Sequence, residues 1–481
     1  MHLAVIFRVT GTLLTLFSFT FLIPMLVGLG YGENSLMTFG SAFLITLSVG
    51  LVLWLPLRGK RELRGGDGFL ITALFYIGLG LFGAIPLYFD PAIALSFTDA
   101  AFESMSGLTT TGATVITGLD HLPKSLLIYR QLLQWLGGMG IIVLAVAIFP
   151  MLGIGGMQLY RTESPGPMKD NKLTPRITET AKALWYIYLG LTLACGLAYW
   201  IAGMTPFDAI SHSFSTVAIG GFSTHDASIG YFNSIAVESV AMFFMLLSGI
   251  NFGLHFLVWR RKDPMHYFQD IEVRAYLGFI AIIAIIVCWT LATIPQTGVS
   301  PIRDGLFQSI SIATTTGFTT QNFSTWPMIT PVLLLLAAFA GGCAGSTAGG
   351  IKIIRVLMIY KQGMREVKQL IHPNGVFPMK LNNAPVSYRL LEAVWSFFSV
   401  YAIVFLVMVI AVMWSGHLNF LTAFSAVGAC LNNLGPGLGD VALNYQSLSP
   451  ITKWLLMFTM MLGRLEIFTV LVLLTPAYWR R

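Results

Sequence analysis

The chain has 481 residues, of which 56% are hydrophobic and only 10% charged, with a mean hydropathy of +0.76. That balance excludes a water-soluble globular protein of this length, and the chain is better counted in membrane spans than in soluble domains. The net charge of +7 does not signal nucleic acid, because the basic residues are scattered over short segments between apolar runs.

In chain order, residues 3–29 and 36–57 are apolar spans joined by the polar turn Gly30-Tyr31-Gly32-Glu33-Asn34. The first run is apolar for too long to read as a signal peptide, and no small-residue cleavage site follows. Arg58, Lys60, Arg61 and Arg64 come next and close an N-terminal two-helix unit at 1–67. Residues 68–157 form a first pore repeat, with spans at 69–89 and 126–150 around a short helix and strip at 98–113. Residues 158–263 form a second, opening with a charged stretch at 158–182 and spanning near 183–203 and 233–259, up to Arg260, Arg261 and Lys262. The third, 264–384, spans near 274–295 and 327–360 and runs into a basic stretch at 361–389. The fourth, 385–481, spans near 390–415 and 451–477. The expected fold is an all-α membrane protein of ten transmembrane helices. Four pseudo-repeats of span–pore half-helix–span surround one central pore, beside the N-terminal unit.

The repeats are marked by Leu108-Thr109-Thr110-Thr111-Gly112-Ala113 and three further versions of it. Ala313-Thr314-Thr315-Thr316-Gly317-Phe318 is nearest, Val217-Ala218-Ile219-Gly220-Gly221-Phe222 looser, and Leu431-Asn432-Asn433-Leu434-Gly435-Pro436 loosest. Thirteen residues before each glycine stands a residue of helix N-cap type: Asp99, Asp208, Asp304 and Thr422. Serines recur between them, at Ser104 and Ser106, Ser213 and Ser215, Ser309 and Ser311. A repeat of this length implies copies of one supersecondary unit. Each copy predicts a capped helix of about ten residues that ends in an extended, glycine-terminated strip. Such a helix is too short for a bilayer, which needs roughly 20 apolar residues, but it can dip halfway in with its negative end toward the centre. Four strips in a ring would offer inward carbonyls, the groups with which cation filters replace a hydration shell. Non-helical backbone at membrane depth requires burial in protein or a wet cavity.

Charge orients the stack. Lys124, Arg130, Arg303 and Lys453 fall on one side, while nearly all other basic residues of loops and span ends fall on the opposite side. The positive-inside rule places those basic loops and both termini in the cytoplasm, and the strips toward the outside. Cys195, Cys288, Cys343 and Cys430 lie in apolar segments with no metal or disulfide spacing and read as small buried hydrophobes. No phosphate-binding loop, dinucleotide fingerprint or nucleophile–base constellation is present, so neither an enzyme nor a nucleotide site is expected in this chain.

The strips, together with Arg130-Gln131-Leu132-Leu133-Gln134-Trp135-Leu136-Gly137-Gly138-Met139-Gly140, Gly341-Gly342-Cys343-Ala344-Gly345-Ser346-Thr347-Ala348-Gly349-Gly350 and Gly463-Arg464-Leu465-Glu466, resemble the Trk/Ktr/HKT superfamily of potassium transporters. The extra N-terminal unit looks like its bacterial TrkH/TrkG branch, and the resemblance covers essentially the whole chain. It implies potassium uptake across the bacterial inner membrane through one pore per chain, in a homodimer gated by a cytoplasmic, TrkA-like nucleotide-binding ring. It implies no cofactor in this chain, with potassium as the transported ligand. Carried over by position, the potassium-binding filter is Thr110, Thr111 and Gly112; Ile219, Gly220 and Gly221; Thr315, Thr316 and Gly317; Asn433, Leu434 and Gly435. In related HKT proteins a serine at the first filter glycine goes with sodium transport; glycine at all four positions here implies potassium.

The run 341–350 has too many glycines for a stable helix. It reads either as a close helix contact or, as the family implies, as an intramembrane gating loop of Gly345, Ser346, Thr347, Ala348, Gly349 and Gly350 below the filter. Ala348 is expected to restrict that loop slightly. Arg464, inside an apolar span, faces the interior or a partner, either holding the loop or raising a barrier to cations. Glu466 is two residues away and cannot pair with it along a helix. His212 reads as a satisfied polar contact. Glu103 reads as serving the first short helix's dipole. His225 and Asp226 read as an outer loop weakly attractive to cations, and Lys352 and Arg355 as marking the inner membrane face or touching the gating partner. A symporter coupling potassium to protons or sodium is the alternative function. It would place carboxylates at the midplane, and the strips contain none.

Overall fold

In the computed structural model of the chain, residues 3–57, 67–143, 177–294, 296–382 and 384–480 are described. Six helices are long and apolar enough to cross a membrane: Ala4–Gly30, Ser35–Trp54, Gly68–Phe89, Lys182–Ile201, Ile271–Thr293 and Tyr388–Gly416. The count reaches eight if each of two sharply bent pairs is one span. Of the other expected spans, 126–150 is a helix from Lys124 to Val143, its later part lying outside the described residues. The span 327–360 is two helices, Thr330–Ala340 and Ile353–Ile371, on either side of the glycine run. The charged stretch 158–182 and the basic run 58–64 also lie largely or wholly outside the described residues. A two-residue antiparallel ladder, Lys380–Leu381 with Ala384–Pro385, is the only strand pairing among the described residues.

Two spans expected to be continuous are broken. Ile235–Ser248 and Phe252–Arg261 meet at 94°, and Pro450–Arg464 and Ile467–Leu474 at 115°. A break at membrane depth must find partners for the backbone groups it frees, and the first one does. Gly249 O accepts from Cys343 N at 2.8 Å, and Phe252 N donates to Gly345 O at 3.0 Å. The glycine run thus completes the broken span of the preceding repeat.

Two apolar clusters hold the helices. One joins the N-terminal unit to the first and fourth repeats through residues such as Phe21, Tyr76, Phe102, Tyr129 and Met460. The other joins the second and third through Tyr188, Met245, Tyr276, Phe307 and Leu334. Outside them, apolar side chains such as Val52, Leu197, Ile285 and Ile410 stand exposed on the long helices, as expected of surfaces solvated by lipid.

Between the spans lie four short helices: Phe97–Leu108, Pro206–Val217, Arg303–Ala313 and Phe420–Leu431. The aligned Asp and Thr residues do not cap them in the expected way. Ser96, Thr205 and Asn419 are the N-caps, and their side chains accept from the N–H of Asp99, Asp208 and Thr422. The hydroxyls of Ser96 and Thr205 donate back to the Asp99 and Asp208 carboxylates at 2.7 Å. The recurring position is therefore the third residue of the helix in these three. In the first two a carboxylate there supports the cap and the free N–H groups of the first turn. Asp304 instead accepts from Ser300 N at 2.7 Å, in a helix begun without a side-chain cap.

Candidate functional site

All four short helices end in the same way. Thr111 N donates to Ser106 O at 2.9 Å, Gly220 N to Ser215 O, Thr316 N to Ser311 O and Leu434 N to Ala429 O, each at 2.8 Å. With an inner bond from the preceding residue, such as Thr110 N to Gly107 O at 3.0 Å, this is the Schellman turn, which needs one left-handed residue. That residue is Thr110, Ile219, Thr315 or Asn433, with φ of 53°, 55°, 64° and 53°. The strips are therefore not simply extended, as the sequence suggested. Three of the four left-handed positions carry β-branched side chains, an unusual choice costing about 1–3 kcal/mol each. Strain of that kind collects at functional sites.

The strip glycines are left-handed too: Gly112, Gly221, Gly317 and Gly435 have φ of 79°, 80°, 85° and 93°. Each strip therefore carries left-handed residues at alternate positions. The strips close into a ring. A Cβ on Gly112 would run into Gly220 O, one on Gly221 into Thr316 O, and one on Gly317 into Leu434 O. One on Gly435 would lie 2.7 Å from Thr111 O and complete the circuit. The structure thus brings all twelve expected strip residues into one cyclic arrangement.

Three of the four strips are held from behind by a residue nine positions before the glycine. In the first repeat this is Glu103, whose carboxylate accepts from Val115 N at 2.9 Å and Thr114 Oγ1 at 2.9 Å. Arg130 pairs with it at 2.8 Å, both side chains 1% exposed, and also donates to Ser223 O at 3.0 Å. Glu103 is mid-helix and ion-paired, so its expected service to the helix dipole is replaced by a brace between the first and second strips. His212 holds the counterpart position: one ring nitrogen meets Asp208 O and the other Ser223 Oγ, both at 2.9 Å. Gln308 accepts from Thr320 N at 3.2 Å. In the fourth repeat the position is Ala426, and neighbouring Ser425 accepts from Leu438 N at 2.8 Å instead.

Two further side chains bond to strip carbonyls: Gln134, which lies in the stretch 130–140 but carries no expected role, and Tyr445, not singled out in the sequence. Gln134 Nε2 donates to Gly220 O at 2.6 Å while its Oε1 accepts from Phe222 N at 3.0 Å. The Tyr445 hydroxyl donates to Gly435 O at 2.7 Å.

At the mouth, His225 stacks on Tyr231 at 3.5 Å, with Asp120 at 2.5 Å and Asp208 at 3.6 Å. Burial opposes charging this imidazole, but bonds and charge from Asp208 and Asp120 outweigh it and raise its pKa. Asp226 accepts from Gly118 N and Leu119 N, both at 3.1 Å, so it fastens a loop of the first repeat.

The glycine run packs against the strips. Gly349 N donates to Thr315 Oγ1 at 2.7 Å, and Thr347 Oγ1 donates to Val217 O at 3.0 Å. A Cβ on Gly349 would strike Asn432 O, so the loop touches the ends of the second, third and fourth short helices. Ala344 N donates to Glu272 Oε1 at 2.6 Å. Arg464 donates to Thr347 O at 3.1 Å and to Gly137 O at 2.9 Å, with its Nε buried and unpartnered. Gly345 and Gly350 are left-handed; Ala348 is not among the positive-φ residues, so an alanine there imposes no backbone penalty. Glu466 pairs with Arg355 at 2.9 Å. Arg355 is buried, and Lys352 Nζ donates to Ala348 O, so both take part in the loop's packing.

No group of three or more His, Cys, Asp or Glu side chains able to hold a metal ion occurs among the described residues, and all four cysteines are free thiols.

The profile of the TrkH family, described as "Cation transport protein", matches residues 35–481. The chain is 56% identical to the Trk system potassium uptake protein TrkH of Halomonas elongata, with 100% of each chain covered. It is 53% identical to the Escherichia coli K12 protein of the same name, again over 100% of each. The crystal structure of the potassium transporter TrkH from Vibrio parahaemolyticus superimposes with a TM-score of 0.91 at 51% identity, covering 100% of both chains.

Proposed function

The chain belongs to the TrkH family of cation transport proteins, and from that premise we propose that it carries potassium across the bacterial inner membrane as the translocating subunit of a Trk system. The observation that carries the proposal is the closed ring of strips, in which each glycine abuts a carbonyl of the next strip. In this reading potassium sheds water onto the carbonyls of Thr110–Gly112, Ile219–Gly221, Thr315–Gly317 and Asn433–Gly435 and descends its electrochemical gradient. An inside-negative potential contributes about 2.3 kcal/mol per 100 mV for each charge.

The loop of Gly345 to Gly350 is the gate, and Arg464 is its latch, since a single arginine bonds both Thr347 O and Gly137 O. A cytoplasmic TrkA-like ring moves the loop, the chain works as a homodimer, and both termini are cytoplasmic. The symporter alternative needs free carboxylates at membrane depth. The carboxylates nearest the ring and the loop are engaged: buried Glu103 with Arg130, buried Glu272 with Ala344 N and the partly exposed Glu466 with Arg355.

The test is cation flux into liposomes holding the purified chain. Potassium flux driven by an imposed potential, independent of pH and sodium gradients, supports a gated channel; flux that requires either gradient replaces it with the symporter.

A further inference from the structure

The four strips form one ring but are not held alike. Among the described residues, no side chain donates to the carbonyls of the first strip, Thr110 to Gly112, or of the third, Thr315 to Gly317. The second and fourth strips, which face each other across the ring, each have one carbonyl engaged from behind. Gly220 O takes the Gln134 amide at 2.6 Å, and Gly435 O takes the Tyr445 hydroxyl at 2.7 Å.

Both donors are fixed. Gln134 is fully buried and bonded on both sides of Gly221, since its Oε1 also accepts from Phe222 N. Its amide fills the space that a side chain at 220 would need, which explains why this strip alone has glycine where the others have Thr111, Thr316 and Leu434. Tyr445 is 1% exposed, its ring lies against Phe102, and its own N–H donates to Thr114 O at 2.8 Å. It is therefore anchored to the segment leaving the first strip while it holds the fourth.

We propose that Gln134 and Tyr445 are specificity-setting residues of the pathway, tethering one carbonyl on each of two opposite strips so that the ring cannot contract around a cation smaller than potassium. The proposal rests on the reading of the strips as the cation filter. A carbonyl with one lone pair committed to a protein donor is held in place and is a weaker ligand for an ion. Both effects act against the smaller, more strongly hydrated sodium ion, which needs closer and stronger ligands to replace its water. The filter is then two-fold in its mechanics: strips one and three adapt, and strips two and four set the width. Gln134 and Tyr445 are positioning residues, since each acts through the carbonyl it holds.

The experiment compares potassium and sodium permeability in liposomes for the full chain, Tyr445→Phe, Gln134→Met and Gly112→Ser. Tyr445→Phe removes one oxygen and little volume. The potassium-to-sodium ratio is expected to fall roughly threefold to tenfold in Tyr445→Phe, as for the loss of one neutral hydrogen bond, and at least as far in Gln134→Met. Purified protein is also heated in potassium and in sodium. The extra protection by potassium shrinks in both variants, a readout that needs no conduction and that a general loss of stability would not move. A ratio unchanged in Tyr445→Phe and Gln134→Met, but altered in Gly112→Ser, overturns the tether. A ratio unchanged in all three overturns the filter beneath it.

Discussion

Thr315 accepts a hydrogen bond on its hydroxyl from Gly349 N at 2.7 Å while its own backbone is the left-handed turn of the third strip, φ 64°. One residue thus belongs to both the ring and the glycine loop, and movement of the loop must release or strain the strip. Thr315→Val keeps the branched shape and removes the acceptor. Loss of one such bond is worth about 0.5–1.5 kcal/mol, so potassium flux without any partner should rise roughly twofold to tenfold. Unchanged flux in liposomes would uncouple the loop from the strip.

Arg464 should matter more, because it ties Thr347 O to Gly137 O and holds a charge at 5% exposure. Arg464→Ala removes two charge-assisted bonds, each worth about 1.5–3 kcal/mol. Basal flux should rise at least about tenfold, and deletion of 345–350 should do the same. If both variants conduct like the parent chain, the barrier lies elsewhere.

The ring predicts an order among its glycines. A side chain on Gly112, Gly221 or Gly317 would collide with the neighbouring strip's carbonyl, whereas on Gly435 the first contact, Thr111 O, is 2.7 Å away. Serine at the first three positions should reduce the preference for potassium over sodium strongly, and Gly435→Ser least. Permeability ratios measured across the four variants would contradict the geometry if Gly435→Ser were the most damaging.

The Arg130–Glu103 pair is almost sealed from solvent. Breaking a buried pair by removing one partner costs about 3–5 kcal/mol, whereas removing both is often tolerated. Arg130→Met should therefore lower the yield and thermal stability of folded protein, and adding Glu103→Gln should recover much of the loss. A double variant no better than the single would show that the arginine acts through Ser223 O alone.

His225 makes stability depend on pH. Burial opposes charging it, but bonds and charge from Asp208 and Asp120 leave its pKa raised. The charged pair therefore stabilises fully below the ordinary histidine value of about 6.5 and is lost as pH climbs through the raised value. Melting temperature should fall over that interval in the parent chain and stay flatter in His225→Gln. Superimposable pH profiles would remove the role.

Much of the site could be read from the chain because its signals are local. A polar first-turn residue, a short apolar helix and a glycine recur at fixed spacing, and together they locate the ends of all four short helices, although the left-handed turn at each end reads as an extended strip and the cap of three reads three residues late. The breaks after Ser248 and at Glu466 could not be read that way. Neither has a glycine run, and the free groups of the first are satisfied by Cys343 and Gly345, far along the chain. Gln134 and Tyr445 were equally hidden. Their spacing from Gly220 and Gly435 follows no repeat, and a polar side chain in an apolar stretch does not say which carbonyl it meets. The partners of Lys352 and Arg355 were hidden for the related reason that a basic residue beside a span does not say which carbonyl or carboxylate it meets.

The most direct measurement is anomalous diffraction from crystals of the protein grown in rubidium, with a sodium-grown crystal as the control. The account predicts rubidium peaks on the axis of the ring, within coordination distance of carbonyls from Thr110–Gly112, Ile219–Gly221, Thr315–Gly317 and Asn433–Gly435, and weaker occupancy when sodium competes. Rubidium bound at other residues, with the ring empty, would contradict it.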